Sequence, residues 1–320
     1  MKDKVLLEAK HICQYYPVSR GFFKKSVIKA VDDVSLTIHK GETVALVGES
    51  GCGKSTLGRS LIFAEKPVKG EVWFKGELLT EKTLEKHYTG MQMIFQDPVS
   101  SLNPRMTVFN IIAEPLIVCR NMEGEKLASR VYELMDTVGL RRDMAFRYPH
   151  EFSGGQCQRI GIARAIALEP DLVVCDEPVS ALDVSIKAQI INMFADIQKN
   201  TGVSYLFITH DLLTVRYVSH RIAVMYLGHI VELAETEELF ARPLHPYTQA
   251  LLSSVFLPDV DAKRNCIPLE GEVPSLLCVP TGCPFRERCR YAMDACAEKM
   301  PELCDAGNSH MVACIRKGAL

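Results

Sequence analysis

Short apolar runs separated by polar turns fill the first part of the chain and predict β-strands. Such runs occupy residues 5–9, 27–31, 34–38 and 43–47. A turn at Lys40-Gly41-Glu42 separates the last two runs. Further apolar runs at residues 70–76, 91–95, 172–176, 204–209, 222–226 and 229–233 predict more strands.

Helical periodicity lies between these runs. Residues 107–148 are predicted to be helical, with Leu127, Val131, Leu134 and Met135 spaced as one buried face. A second helix is predicted over residues 184–198. Helices that alternate with strands, some apolar throughout, indicate an α/β fold around a parallel sheet.

One polar stretch between strand and helix carries recognisable chemistry. Residues 48–56 read Gly48-Glu49-Ser50-Gly51-Cys52-Gly53-Lys54-Ser55-Thr56. Three glycines let backbone N–H groups surround phosphate oxygens at a helix N-terminus. Lys54 is expected to reach the outer phosphates and Ser55 to ligate Mg²⁺. This context favours a nucleotide site over a glycine-rich surface turn.

Polar residues at the ends of three later strands complete the candidate site. Asp176 and Glu177 follow a buried strand, where open α/β sheets bind ligands. Asp176 is expected to hold the Mg²⁺ water shell, and Glu177 to activate a water molecule. Gln96 and His210 also follow strands, although taken alone a glutamine there is more often a surface residue and a histidine more often a packing residue.

Two further features suit nucleotide binding but also have ordinary explanations. Ser153-Gly154-Gly155-Gln156 opens a helix and forms either a second anion site or a simple N-cap. Tyr15 and Tyr16 follow the first strand, where either aromatic ring is able to stack on a base.

Composition narrows the class of protein. The 320 residues have a net charge of −2, which gives no reason to expect a nucleic-acid partner. No apolar run approaches the roughly 20 residues that span a bilayer, and the N-terminus lacks a signal-peptide core. We therefore expect a soluble cytosolic protein. Seven of the 12 cysteines lie from Cys266 to Cys314, and in the cytosol such a cluster indicates metal rather than disulfides.

The motifs, taken together, resemble the nucleotide-binding subunit of an ATP-binding-cassette (ABC) transporter from residue 5 to about 250. In chain order the matching residues are Tyr16 (adenine stacking), Gly48 to Ser55 (Walker A), Gln96 (Q-loop), Ser153 to Gln156 (signature), Asp176 (Walker B), Glu177 (catalytic carboxylate), Ser180 to Asp183 (D-loop) and His210 (switch histidine). The resemblance implies ATP hydrolysis with Mg²⁺ held through Ser55, Gln96 and Asp176. It also implies a P-loop NTPase fold with a RecA-like core, an antiparallel β subdomain and a helical subdomain over about 100–165.

Three segments narrow the resemblance to the oligopeptide/dipeptide importers. These are residues 101–105, 147–152 and 245–248, and residues 153–159 are most similar to the F-type ATPase of the pair. The implied partners are a D-type ATPase, two transmembrane permease subunits and, indirectly, an extracytoplasmic peptide-binding protein. The implied location is the cytoplasmic face of the inner membrane, in a head-to-tail ATPase dimer. A cassette over 1–250 and a cysteine-rich extension over 251–320 are expected.

Four cysteines in that extension resemble the [4Fe-4S] motif of the subfamily. Cys283, Cys289, Cys296 and Cys314 have the spacing C-x5-C-x6-C-x17-C. Soft thiolates also suit zinc, which stays the alternative, although tight C-x2-C pairs are missing. Cys304 is an extra thiol able to replace one ligand, and two more cysteines, at positions 266 and 278, have no assigned role.

Other functions remain open at this point. A related importer for nickel or another small solute would use a similar ATPase. A non-transport ABC-type ATPase usually has two cassettes or a coiled-coil insertion, neither of which appears in this sequence. A redox- or iron-sensing role of the cysteine segment is a third possibility. Finally, Cys52 is either a tolerated small residue of the phosphate loop or a thiol whose pKa is lowered by the helix N-terminus, which would make the enzyme sensitive to thiol reagents.

Overall fold

A computed structural model describes residues 4–20, 24–180, 182–254, 267–269, 271, 274–277 and 279–316. The strands are β1 (Val5–Arg20), β2 (Lys24–His39), β3 (Thr43–Val47), β4 (Lys69–Phe74), β5 (Glu77–Leu78), β6 (Met91–Ile94), β7 (Leu172–Asp176), β8 (Ser204–Ile208), β9 (Arg221–Tyr226), β10 (His229–Glu235), β11 (Cys304–Asp305) and β12 (Met311–Val312). The α-helices are α1 (Lys54–Leu61), α2 (Glu81–His87), α3 (Val108–Arg120), α4 (Gly124–Thr137), α5 (Gly154–Ile166), α6 (Val184–Thr201), α7 (Leu212–Val218), α8 (Thr236–Ala241) and α9 (Pro246–Ser253). Short 3₁₀ turns lie at Tyr88–Gly90, Arg142–Met144, Pro149–Glu151, Arg286–Arg288 and Asp294–Ala297.

The chain forms two compact units that interleave along the sequence. The first comprises residues 1–7, 37–43 and 73–208, and the second residues 8–36, 44–72 and 209–320. Cysteines 266 and 278 lie outside the described residues. The boundary expected at residue 250 stays a prediction.

A parallel sheet lies at the centre of the first unit. Strand β7 pairs in parallel with β6 and with β8, and Leu172 lies opposite both Met91 and Ser204. Every residue of β7 and β8 is buried, as expected for strands covered on both faces of a parallel sheet. The carboxyl end of β7 therefore presents Asp176 at one edge of this sheet.

The sequence predicted one helical region over residues 107–148, but the structure has two separate helices there, α3 and α4. Helix α3 begins after Thr107, whose hydroxyl accepts a hydrogen bond from the Asn110 N–H at 3.4 Å, and ends at Asn121. Asn121 has φ of 50°, a left-handed conformation that stops the helix. Helix α4 then buries Leu127, Val131, Leu134 and Met135, which confirms the predicted face.

In the second unit, β3 lies beside β9 in a sheet of order β11-β12-β10-β9-β3. Strands β3 and β9 are parallel, with Val47 opposite Val224, whereas β10 is antiparallel to both β9 and β12. Strands β1, β2 and β4 form a second sheet of order β2-β1-β4, which supplies the predicted β subdomain.

The cysteine-rich extension is built into the second unit. Strand β12 pairs with β10, and Cys283, Phe285 and Cys296 share a buried core with residues of β3 and β9. The buried Glu232 carboxylate of β10 accepts hydrogen bonds from the backbone of residues 244 and 245, at 2.6 and 3.0 Å.

A buried histidine of the extension binds the same carboxylate. The His310 Nε2 lies 2.7 Å from Glu232. Burial disfavours the charged imidazole, but the hydrogen bond to Glu232 raises the pKa of His310. These polar contacts fix the extension to the cassette sheet.

Candidate nucleotide site

The phosphate loop (residues 48–56) has a conformation that only glycine allows at two positions. Gly48 has φ of 151° and Gly53 has φ of 106°. A Cβ atom would lie 2.1 Å from the Met225 carbonyl oxygen at Gly48, and 1.9 Å from the Ala30 carbonyl oxygen at Gly53. Backbone carbonyl groups of the second unit therefore lie against the loop and leave no room for a side chain at these two positions.

Helix α1 starts at the end of this loop, and among the described residues no side chain caps its N-terminus. Gly53 is the N-cap residue. A helix N-terminus in this state offers several N–H groups and a partial positive charge. It is thus suited to phosphate oxygens.

Lys54 closes the loop on itself in this structure. Its side chain is buried, and Nζ donates to the carbonyl oxygens of Gly48 and Glu49 at 2.8 and 2.9 Å. Phosphate oxygens are stronger acceptors for an ammonium group than neutral carbonyls. If phosphate oxygens replaced these carbonyl oxygens when nucleotide binds, the buried Lys54 ammonium group would keep hydrogen-bond acceptors throughout.

The lowered pKa considered for Cys52 is wrong. This side chain is only 3% exposed, and burial raises the pKa of the thiol despite the nearby Lys54 ammonium group. Desolvation of the thiolate outweighs the helix N-terminus here.

The two tyrosines after the first strand have different neighbours. The Tyr15 hydroxyl donates to Asp32. The Tyr16 hydroxyl donates to Glu65 and also interacts with Thr56 at the start of α1. This places the Tyr16 hydroxyl beside α1, and the stacking of its ring on adenine stays a prediction.

His210 belongs to the same unit as the phosphate loop. The preceding Thr209 donates its N–H to the Leu46 carbonyl of β3 at 3.2 Å, so the two segments run side by side. The following Asp211 caps α7 through the N–H groups of Leu213 and Thr214 at 3.0 and 3.3 Å. His210 itself is exposed.

In the first unit the structure brings Gln96, Asp176 and Glu177 together. The Gln96 side-chain amide donates to the Glu177 carboxylate at 3.0 Å. Asp176 is buried at the end of β7, and Glu177 follows with φ of 45°. A left-handed conformation at a non-glycine residue is strained, and such strain concentrates at functional sites.

The signature segment (residues 153–156) caps itself. The Ser153 hydroxyl accepts from the Gln156 N–H at 3.4 Å, while the Gln156 side chain accepts from the Ser153 N–H at 3.0 Å. A cavity of about 360 Å³ opens beside it. Asp183, of the predicted D-loop, is the exposed N-cap of α6.

The four predicted cluster cysteines line one cavity of the second unit. Cys283, Cys289, Cys296 and Cys314 all face it, and burial raises the pKa of Cys283 to about 11. Four thiols around one cavity fit the donor set of an iron–sulfur or zinc site. Within the described ranges, however, no group of three or more Cys, His, Asp or Glu side chains already lies in metal-binding geometry.

Sequence reasoning missed the residues that hold the phosphate loop from outside. The Glu49 carboxylate pairs with Arg288, and the Glu49 N–H donates to the Tyr247 hydroxyl. Tyr247 lies within a segment that the sequence singled out only by resemblance. Nothing in the sequence near Arg288 indicated a contact more than 200 positions away, because it depends on tertiary packing.

The fold and these motifs define the class, which is the P-loop ATPases of ABC type. Family profiles agree: residues 31–180 match "ABC transporter" and residues 231–296 match "Oligopeptide/dipeptide transporter, C-terminal region". An ATP-binding cassette, MJ0796, solved as a dimer with ADP and Pi, has a TM-score of 0.65 and 28% identity, and the match covers 72% of this chain and 99% of that one.

Relatives of known name cover nearly the whole chain. The oligopeptide transport ATP-binding protein AppF of Bacillus subtilis is 49% identical over 98% of this chain and 97% of its own length. OppF of Escherichia coli is also 49% identical, over 98% of this chain and 96% of its own. The chain therefore belongs to the ABC transporter ATP-binding proteins, in the oligopeptide/dipeptide transporter family, and is an ATPase.

No helix of the described ranges is long and apolar enough to cross a membrane.

Proposed function

We propose that this protein is the ATP-hydrolysing subunit of an importer of dipeptides or oligopeptides. The observation that carries the proposal is that its relatives, named for oligopeptide transport, match both the ATP motifs and the C-terminal extension. A match to the cassette alone would be shared by transporters of many solutes. An importer of nickel or another small solute is the second candidate, because solute choice lies in the other subunits.

Each half of the site has a distinct role in the proposed mechanism. The phosphate loop binds the ATP phosphates, Lys54 contacts the outer ones, and Tyr16 stacks on the adenine. Ser55, Gln96 and Asp176 would hold Mg²⁺, and the bound ion would neutralise charge that develops on the phosphates.

The carboxylate that follows β7 is the proposed general base. Glu177 accepts a proton from the attacking water, and Gln96 orients this carboxylate through the 3.0 Å hydrogen bond. His210 assists at the terminal phosphate.

The signature segment acts on a second ATPase rather than on the nucleotide of its own chain. Two helix N-termini, one from each chain, then enclose one triphosphate in a head-to-tail dimer. The proposed partner is a related D-type ATPase, and Asp183 lies at the helix N-terminus that follows the D-loop. Hydrolysis reopens the dimer and resets the transporter.

The proposed contact with the permease lies near the Q-loop and the helical segment of the first unit, around Gln96 to Leu140. Val99, Ile117 and Val118 of this segment are between 45% and 70% exposed. Exposed apolar side chains gain free energy when a protein partner removes them from water. Docking on two transmembrane subunits would hold the protein at the cytoplasmic face of the inner membrane, with a peptide-binding protein acting on the other side.

The cysteine cavity is proposed to hold a [4Fe-4S] cluster through Cys283, Cys289, Cys296 and Cys314, with zinc as the alternative. When bound, such a group crosslinks a loop-rich segment that has little core of its own. Anaerobic purification followed by iron and sulfide assays tests this assignment. Stoichiometric zinc without iron would contradict it.

Glu177→Gln in the reconstituted transporter tests the proposed mechanism. ATP binding should be unchanged, while the hydrolysis rate should fall about 10²–10⁴-fold, the usual contribution of a general base. The matched control is Glu125→Gln, an exposed carboxylate in α4 of the same unit. Hydrolysis at the wild-type rate in Glu177→Gln would refute the assignment.

Tight sedimentation of the isolated protein with bare lipid vesicles would argue against docking through permease subunits.

A further inference from the structure

The cysteine-rich extension touches the phosphate loop through one arginine. Arg288 lies at the end of the 3₁₀ turn Arg286–Arg288, directly before Cys289. Its Nη1 lies 2.8 and 3.1 Å from the two carboxylate oxygens of Glu49. The side chains are only 7% and 22% exposed, so water screens this ion pair weakly.

The same loop residue is also held through its backbone. The Glu49 N–H donates to the Tyr247 hydroxyl at 2.9 Å. Tyr247 is fully buried, with its ring 4.7 Å from that of Tyr226 and 5.4 Å from that of Phe285, measured between centroids. Because these rings belong to a packed core, the hydroxyl is a fixed acceptor.

Glu49 in turn contacts Lys54, the lysine proposed to bind phosphate. Its carbonyl oxygen is one of the two that accept a hydrogen bond from the Lys54 Nζ, at 2.9 Å. A displacement of Glu49 would therefore move an anchor of Lys54 and distort the cradle of N–H groups. It would also leave a negative charge without its partner beside the place where anionic phosphates bind.

We propose that Arg288 is a positioning residue for ATP binding, which acts by fixing and neutralising Glu49 of the phosphate loop. The extension thereby contributes to the nucleotide site of its own chain. This inference rests on the proposed role of residues 48–56 as the ATP site. Arg288 does not take part in the chemical step, so its removal should change affinity and leave turnover at saturating ATP nearly unaltered.

The first experiment measures binding of a fluorescent ATP analogue to the full-length chain. Arg288→Met should weaken binding about tenfold, the scale of a lost hydrogen bond to a charged group. Arg288→Lys should recover part of the affinity, since it keeps the charge but not the planar fork. Arg290→Met is the matched control, because this exposed arginine of the same segment stacks on Tyr291 instead.

The second experiment asks whether the effect passes through Glu49. Glu49→Gln removes the charge that Arg288 neutralises, so Arg288→Met should cost much less affinity in that background than in the wild type. In the reconstituted transporter, Arg288→Met should raise the KM for ATP about tenfold with little change in kcat.

The outcomes separate this inference from the proposed function. If Arg288→Met binds the analogue like the wild type, or if the two substitutions are additive, Arg288 does not position the loop. If Arg288→Met does not fold, Arg288→Gln replaces it, and wild-type affinity in that variant would overturn the inference. If the wild-type chain itself binds no ATP analogue, the proposed nucleotide site fails instead.

Discussion

Two glycine-containing segments open helices in this protein, and they differ in how their backbone donors are used. The phosphate loop before α1 has no side-chain cap among the described residues and needs glycine because backbone carbonyls lie against it. The signature segment before α5 satisfies its donors with a reciprocal Ser153–Gln156 capping box. A Cβ atom added at its first glycine, Gly154, would meet only a Leu182 methyl carbon among the described residues, at an ordinary contact distance of 3.9 Å.

This difference indicates that the two proposed anion sites differ in how much their backbone has to change before an anion binds. The phosphate loop has its backbone fixed by packing against Met225 and Ala30 and by the contacts of Glu49 with Arg288 and Tyr247. If the signature segment binds a phosphate as proposed, it has to release its side-chain cap first. Because an N-cap stabilises a helix by about 1 kcal/mol, this release costs little and is easily offset by a charged ligand. A segment that serves a partner's nucleotide can thus stay stable while no partner is bound.

The largest effect is expected from Lys54→Ala. It removes the ammonium group that ties the loop together and meets the outer phosphates, so affinity for an ATP analogue should fall about 10²-fold or more. Binding to the full-length chain is the measurement, and Lys82→Ala on α2 is the control for loss of a surface charge. Unchanged affinity would mean that the phosphate loop is not the nucleotide site.

A pair of glycine substitutions tests the contrast directly. Gly53→Ala should destabilise the protein by about 2 kcal/mol or more and abolish analogue binding, because it combines a left-handed φ of 106° with a 1.9 Å approach to a carbonyl oxygen. Gly154→Ala should leave stability within about 0.5 kcal/mol and binding by the isolated chain unchanged. Urea unfolding and analogue titration measure both. Equal effects at the two positions would remove the distinction between the segments.

Much of the site was predictable because it is local in sequence. Strand, loop and helix follow one another at the phosphate loop, and Ser153 and Gln156 form a cap within four residues. The register of β6, β7 and β8, in contrast, was not predictable, because it depends on which of the buried strands pair with one another. Periodicity also did not reveal the break between α3 and α4, which depends on the left-handed conformation of Asn121.

The least predictable feature was the support of the phosphate loop by distant residues. The burial of Cys52 overrides the local effect of the helix N-terminus on its pKa. The contact of Arg288 with Glu49 requires the extension to fold onto the sheet of the second unit. Both depend on packing between segments far apart in the chain, which a local pattern does not contain.

A smaller effect is expected from Ser153→Ala. It removes one half of the capping box, so the free energy of unfolding should fall by about 1 kcal/mol. Binding of the analogue to the isolated chain should not change, because this segment is proposed to serve a partner. Ser153→Asn, which keeps a capping side chain, should retain most of the stability. A weaker affinity in isolated Ser153→Ala would show that the segment contributes to the nucleotide site of its own chain.

The smallest effect concerns two cysteines, Cys52 within the phosphate loop and Cys157 directly after the signature segment. Cys52 and Cys157 are both buried, and burial raises the pKa of each thiol, so at neutral pH both carry less thiolate than a free cysteine. Maleimide should therefore label both slowly, with or without ATP, while the partly exposed Cys119 reacts faster. Mass spectrometry of peptides after timed labelling gives the rates, and labelling in urea shows that each site reacts once unfolded. Fast labelling of Cys52 that ATP suppresses, with Cys157 still unreactive, would show instead that the phosphate loop opens in solution while the self-capped signature segment stays closed.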